Sequence, residues 1–184
     1  SMVAAALCEP LACVVRSVCE RTTVHAGDYV LVSGAGIMAQ LTAQVARANG
    51  GIVIMTGLAQ DADRFAMAEK LGAVDATVRV DQEGALERVL ELTGGMGPQV
   101  AYECAGVAAS ADFCLRALQK TGTYTQMAIP GKPIPMDMDL ALYKEIVMTN
   151  SYASERTSWL TALSLLEHGL VHIEPLATSI LPLW

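Results

Sequence analysis

The sequence predicts an α/β fold, a doubly wound six-stranded parallel sheet with helices on both faces. Three observations lead there. Short, nearly continuous apolar runs recur along the chain, as parallel strands covered on both faces require. Stretches with helical spacing separate them, most ending at glycine. The alternation also falls into two β-α-β-α-β halves, the pseudo-symmetry of a nucleotide-binding sheet whose crevice lies at the carboxyl ends of the central strands.

The elements follow in order. Ala4 to Cys19 has a helical pattern without a start signal. Tyr29 to Ser33 is the first strand. Ile37, Leu41, Val45 and Ala48 then share a helical face, stopped by Asn49-Gly50-Gly51. Ile52 to Thr56 is the second strand, followed by a helix from about Asp63 to Leu71 that ends at Gly72. Ala76 to Val80 is the third strand, and Leu86, Val89 and Leu90 mark a helix closed by Gly94-Gly95. Gln99 to Glu103 opens the second half, with Ala105-Gly106 as its turn. Ser110 is placed to cap a helix carrying Phe113, Cys114, Ala117 and Leu118. Thr123 to Ala128 is the fifth strand, and Pro130 to Leu140, with three prolines, reads as a loop. Glu145 to Tyr152 is the sixth strand. The last helix sets Trp159, Ala162, Leu163 and Leu166 on one face and ends at Gly169.

Composition narrows the function. The chain has 184 residues, 53% hydrophobic and 17% charged, which excludes disorder and allows one domain with a sizeable core. The net charge of -7 without a basic run argues against a nucleic-acid partner. No apolar stretch reaches the roughly 18 residues of a membrane helix. The five cysteines, at 8, 13, 19, 104 and 114, form no C-x-x-C pair and no secretory signal opens the chain, so reduced thiols in the cytoplasm are expected. Ser1-Met2 reads as a cloning remnant, and the chain as a segment of something longer.

Chemistry concentrates at Gly34-Ala35-Gly36-Ile37-Met38-Ala39, which follows a strand and opens a helix. Gly34 permits a sharp turn, Gly36 lets backbone N–H groups approach a pyrophosphate, and the small Ala39 lets helix and strand pack closely. The helix N-terminus adds unsatisfied donors and partial positive charge. A tight turn without ligand is the bland alternative, and S-adenosylmethionine binders use a similar turn. A short-chain dehydrogenase needs Tyr-x-x-x-Lys, and no tyrosine here has a lysine four residues on.

Several stretches resemble one family. Ala5-Ala6-Leu7-Cys8-Glu9-Pro10-Leu11-Ala12 resembles the E-P-L-A helix of zinc-dependent medium-chain alcohol and polyol dehydrogenases. Ala26 to Val32 is similar to their G-D-x-V-L-V strand, Lys70-Leu71-Gly72-Ala73 to L-G-A-D, Leu92-Thr93-Gly94-Gly95 to L-T-G-G and Glu103-Cys104-Ala105-Gly106 to E-C-S-G. Lys144-Glu145-Ile146, Trp159 and Pro175-Leu176 follow in order. The resemblance covers nearly the whole chain and is strongest to the sorbitol and threonine dehydrogenases.

The resemblance implies a Rossmann domain that binds NAD, or alternatively NADP, over residues 26–184, with 1–25 as the helix leading in from an N-terminal catalytic domain. The family's G-H-E stretch, its catalytic zinc ligands and its closely spaced structural-zinc cysteines are not in this chain, and its C-terminal return segment would follow Trp184. In the whole enzyme, zinc polarises the substrate oxygen while hydride passes between the alcohol carbon and the nicotinamide. This domain would place the cofactor, hold no zinc and turn over no substrate alone.

By the same resemblance, Gly34, Gly36, Ile37 and Met38 hold the phosphates. Cys104, Ala105 and Gly106 lie by the nicotinamide ribose, Ala128 and Ile129 meet the carboxamide, and Tyr152 lies nearby. Glu9 approaches the metal directly or through water, or else caps a helix turn. Pairing through the sixth strand into a dimer or tetramer is expected.

Three departures stand out. Ile37-Met38-Ala39 replaces Pro-Ile-Gly. Ala153 lies where polyol enzymes often carry an arginine. Gly57 lies where a carboxylate would accept the ribose 2′-OH and repel a 2′-phosphate. Asp61 or Asp63 can supply that carboxylate or merely cap the next helix, and Arg64 can instead meet a 2′-phosphate. A non-enzymatic reading, a dinucleotide sensor or assembly module with a decayed site, draws on the same departures. His168 and His172, four apart, read as a solvated helix end because Gly169 interrupts them.

Overall fold

Strand order decides whether the two halves form one crevice. In the computed structural model, which describes residues 1–181, the strands lie β3-β2-β1-β4-β5-β6, all parallel. They are β1 (Tyr29–Ser33), β2 (Ile52–Gly57), β3 (Ala76–Arg79), β4 (Val100–Glu103), β5 (Thr123–Gln126) and β6 (Val147–Asn150). The order reverses between β1 and β4, the point where such sheets bind ligands. Ser33 pairs with Thr56 and Glu103, and Glu103 with Gln126, so four strand ends lie level along one edge. This is the Rossmann plan the sequence predicts.

The central strands β1 and β2 are mostly apolar because both of their faces are covered. Val30, Val32, Val53, Met55 and Tyr102 point to one face, under α1 (Met2–Val15), α2 (Ile37–Ala48), α3 (Ala62–Lys70) and α7 (Arg156–Glu167). Leu31, Ile54, Val78, Ala101 and Tyr124 point to the other, under α4 (Ala85–Leu92), α5 (Ala108–Ala117) and α6 (Met138–Tyr143). The period of two along each strand thus separates two cores.

Several boundaries depart from the expected ones. Ser110 does not cap α5. Val107 takes that position, and Ser110 lies one turn in, its hydroxyl 2.8 Å from that of Ser33. The proline-rich loop gives way at Met138 to α6, capped by Asp137, whose Oδ1 accepts the Leu140 N–H at 2.9 Å. β5 stops at Gln126, because the Met127 and Ala128 amides both turn to the Glu103 carbonyl at 3.0 Å. β6 is shorter than expected because Glu145, at φ +53°, makes a turn. On α7 the inward face is Ser158, Ala162, Leu165 and Leu166, while Trp159 and Leu163 are partly exposed. Ala48 and Ile37 likewise face outward on α2. Trp184 lies outside the described residues.

The first helix reaches the length of a membrane span but packs into the core. A π-helical turn, Arg16–Arg21, extends α1 to a 20-residue helix, Met2–Arg21, of mean hydropathy 1.7, long and apolar enough to cross a bilayer. Counting uninterrupted apolar residues missed it, because Glu9 and Arg16 break the run without making the helix polar. Here Leu11, Ala12, Val14, Val15 and Val18 are wholly buried in the core against α2 and α7. Glu20 ties this helix to α7. Burial opposes its ionisation, but hydrogen bonds from Arg16, Thr157 and Ser158 outweigh that and hold its carboxyl below the usual value.

Lys144 explains part of the Lys-Glu-Ile stretch. Its ammonium donates to the carbonyls of Leu115, Arg116 and Leu118, at 3.1, 2.6 and 2.7 Å, and so closes the C-terminus of α5. Lys144→Met leaves those carbonyls without their donor and is expected to cost about 2–3 kcal/mol, read as a lowered urea midpoint. An unchanged midpoint would show that water replaces the ammonium freely.

Candidate functional site

The two glycines of the first turn differ in what the fold demands of them. Gly34 has φ +116°, and a Cβ on it would lie 3.2 Å from the Cys104 carbonyl carbon and the Ala105 nitrogen. The β1 and β4 turns pass too closely for a side chain, and Gly34 N–H is occupied by the Thr56 carbonyl at 2.9 Å. Gly36 has φ −68° and ψ −177°, which any residue adopts, and a Cβ there would meet nothing within 4 Å. Neither backbone strain nor packing therefore requires glycine at 36.

Gly36 is also the N-cap of α2, and no described side chain caps that helix. Its first intrahelical bond runs from Gln40 N to Gly36 O at 2.9 Å. By helix geometry the amides of Ile37, Met38 and Ala39 have no partner within the helix. Ala39 is fully buried against the sheet, as its small size allows. The result is an uncapped, positively polarised helix end beside open space.

Two hollows flank this turn along the carboxyl edge of the sheet. One, about 560 Å³, runs from the end of β2 to the β4 turn and is lined by Gly34, Gly36, Gly57, Asp61, Arg64 and Ala105. The other, about 470 Å³, is lined by Glu9, Cys13, Met38, Ala128, Ile129 and Tyr152. Cys104 lines both, so the two meet at the topological switch point. Ile37 lies outside them, in a smaller hollow with Asp63. Gly106, at φ +73°, is wedged between the turns, where a Cβ would come 3.3 Å from Ala128. His168 and His172 are exposed, on either side of a left-handed Gly169.

Sequence reasoning missed the group that holds the two turns together. The Glu103 side chain is completely buried. Its Oε1 accepts the amides of Ala105 at 3.0 Å and Gly106 at 2.9 Å, and its Oε2 accepts the Gln126 amide at 2.7 Å. Gln126 in turn donates to the Ala128 carbonyl at 2.8 Å and accepts from the Tyr124 hydroxyl. One carboxylate thus ties the β4 turn to the β5 turn. The available signal was a lone acidic residue closing an otherwise apolar central strand, which must be satisfied by its surroundings.

The thiols here are not poised for attack. Burial, followed by the Glu9 carboxylate 3.1 Å away, pushes the Cys13 thiol up to about 11. Burial pushes Cys104 up to about 12. Both stay protonated at neutral pH. Glu9 and Cys13 are joined by no third His, Cys, Asp or Glu among the described residues, so these side chains do not make a metal site on their own.

An uncapped helix after a glycine turn, at the switch point of a sheet in this order, delimits the relationship. A family profile described as zinc-binding dehydrogenase matches residues 38–168. The chain belongs to that family. It is 36% identical over 175 residues to the sorbitol dehydrogenase of Halalkalibacterium halodurans, covering 95% of this chain and 50% of that protein. It is 31% identical over 180 residues to the D-arabitol-phosphate dehydrogenase of Enterococcus avium, covering 97% of this chain and 51% of that protein. A solved structure from Sinorhizobium meliloti 1021, bound to NADP, superposes with a TM-score of 0.81 at 27% identity, covering 92% of this chain and 50% of that one. The chain spans about half the length of the curated relatives it matches.

Proposed function

We propose that this chain binds a nicotinamide dinucleotide across the two hollows and presents its nicotinamide for hydride exchange within a zinc-dependent alcohol or polyol dehydrogenase. The observation that carries the reading is Gly36. Its missing side chain serves no need of the fold and leaves room for a diphosphate against the free amides of Ile37, Met38 and Ala39. The adenosine half lies toward Gly57 and Arg64. The nicotinamide half crosses Cys104 and Ala105, with Gly106 shaping the turn, toward Ala128, Ile129 and Tyr152.

The relatives' names support the reaction class, as does the NADP in the Sinorhizobium structure. Bound zinc would supply Lewis-acid polarisation of the substrate oxygen. Its ligands would come from outside the described residues, with Glu9 facing the metal from the nicotinamide-side hollow. Residues 1–25 would join this domain to the catalytic one. Five free thiols fit a cytoplasmic setting. β6 is an edge strand with Val147 and Met148 exposed, and pairing of two such edges would cover it in a dimer or tetramer.

Titration decides between cofactor domain and decayed module. NADH bound to the chain is expected to raise its melting temperature in a concentration-dependent way, by the equivalent of about 2.7 kcal/mol at a hundred times Kd. A melting temperature indifferent to NAD, NADH, NADP and NADPH would leave only the assembly-module reading.

A further inference from the structure

Resting on the cofactor reading above, we infer that Asp61 replaces the carboxylate missing at position 57, recognises the adenosine ribose diol and makes the site selective for NAD over NADP. In sheets of this plan the acidic residue closing the second strand accepts the ribose hydroxyls and repels a 2′-phosphate. Here that position is Gly57, which has no left-handed φ to explain it. A Cβ at 57 would fall 2.9 Å from Phe65 Cζ and 3.0 Å from Asp61 Oδ2. The space is already filled, and one of the atoms filling it is a carboxylate oxygen. The 3₁₀ turn Ala59–Asp61 brings an acid from four residues downstream back to the strand end.

That carboxylate is built in rather than incidental. Asp61 is 7% exposed. Its Oδ2 accepts the Leu58 amide at 2.9 Å and its Oδ1 accepts Arg64 Nη1 at 2.8 Å, which leaves each oxygen a further lone pair for a hydroxyl donor. Asp61 lines the same hollow as Gly34 and Gly36. Asp63, the other acid weighed from the sequence, is exposed and lines the neighbouring hollow instead.

Arg64 argues for a 2′-phosphate only if its charge is free. It is 60% exposed and already paired with Asp61. Asp81, paired with Arg79 at 2.9 Å, also approaches the turn, where its Oδ2 accepts Ala59 N–H at 3.3 Å. Arg64 and Arg79 are thus each already paired with an aspartate at this end of the crevice, and neither offers a free cation to a phosphate dianion.

The test is calorimetric titration of the chain with NADH and NADPH. NADH is expected to bind at least about tenfold more tightly, about 1.4 kcal/mol. Asp61→Asn keeps an acceptor for Leu58 N–H but removes the charge. It is expected to weaken NADH about tenfold and bring the two cofactors to near parity. Should that variant fold poorly by circular dichroism, Gly57→Ala serves instead, because its methyl group displaces the same carboxylate and is likewise expected to cost NADH affinity. NADPH binding as tightly as NADH in the parent, or a ratio unmoved in the variants, overturns the inference and leaves the cofactor reading standing. Binding of neither cofactor removes both.

Discussion

Exchanging Glu103 for leucine is expected to cost about 4 kcal/mol of folding free energy, in the range for breaking a buried charged network. The side chain is wholly buried, and its loss strands the amides of Ala105 and Gly106 together with the Gln126 side chain. Each unsatisfied donor costs about 1–3 kcal/mol. Urea denaturation reads the stability, and ligand binding reads the geometry. On the proposed binding mode the two turns it joins face the nicotinamide end, so Glu103→Gln, which keeps the shape and one acceptor, is expected to weaken NADH about tenfold while leaving ADP-ribose nearly unchanged, a difference of about 1.4 kcal/mol. Equal losses for both ligands would mean that Glu103 supports the sheet as a whole and not the nicotinamide turns.

Gly36→Val is expected to abolish cofactor binding, a loss of at least about a hundredfold, or about 2.7 kcal/mol, with less than about 1 kcal/mol of destabilisation. The backbone at 36 suits valine and its Cβ would meet nothing within 4 Å, so on the proposed binding mode the side chain enters the space of the diphosphate. Gly34→Ala is its control. There the cost appears in stability, about 1–3 kcal/mol, because a left-handed residue is strained and its methyl group presses on the Cys104–Ala105 backbone. Paired melting curves and NADH titrations separate the two. Full NADH affinity in Gly36→Val would show that the diphosphate does not lie on this helix end.

The sequence by itself determined the order and kind of the principal elements. The strands are marked by short apolar runs, the long helices by a period near 3.6, and most helix ends by a glycine that can turn left-handed, as at Gly72 and Gly169. The glycine turn was legible for the same reason, since strand, turn and helix are contiguous. Only the tertiary structure decided how distant residues meet. It set Ser110 against Ser33 rather than at a cap, joined Glu103 to Gln126, buried an apolar N-terminal helix and turned Trp159 outward on α7. It also moved Asp61 into the space that Gly57 leaves. These contacts depend on which helix packs on which face and how closely two turns approach, and periodicity along the chain carries no information about separations in space.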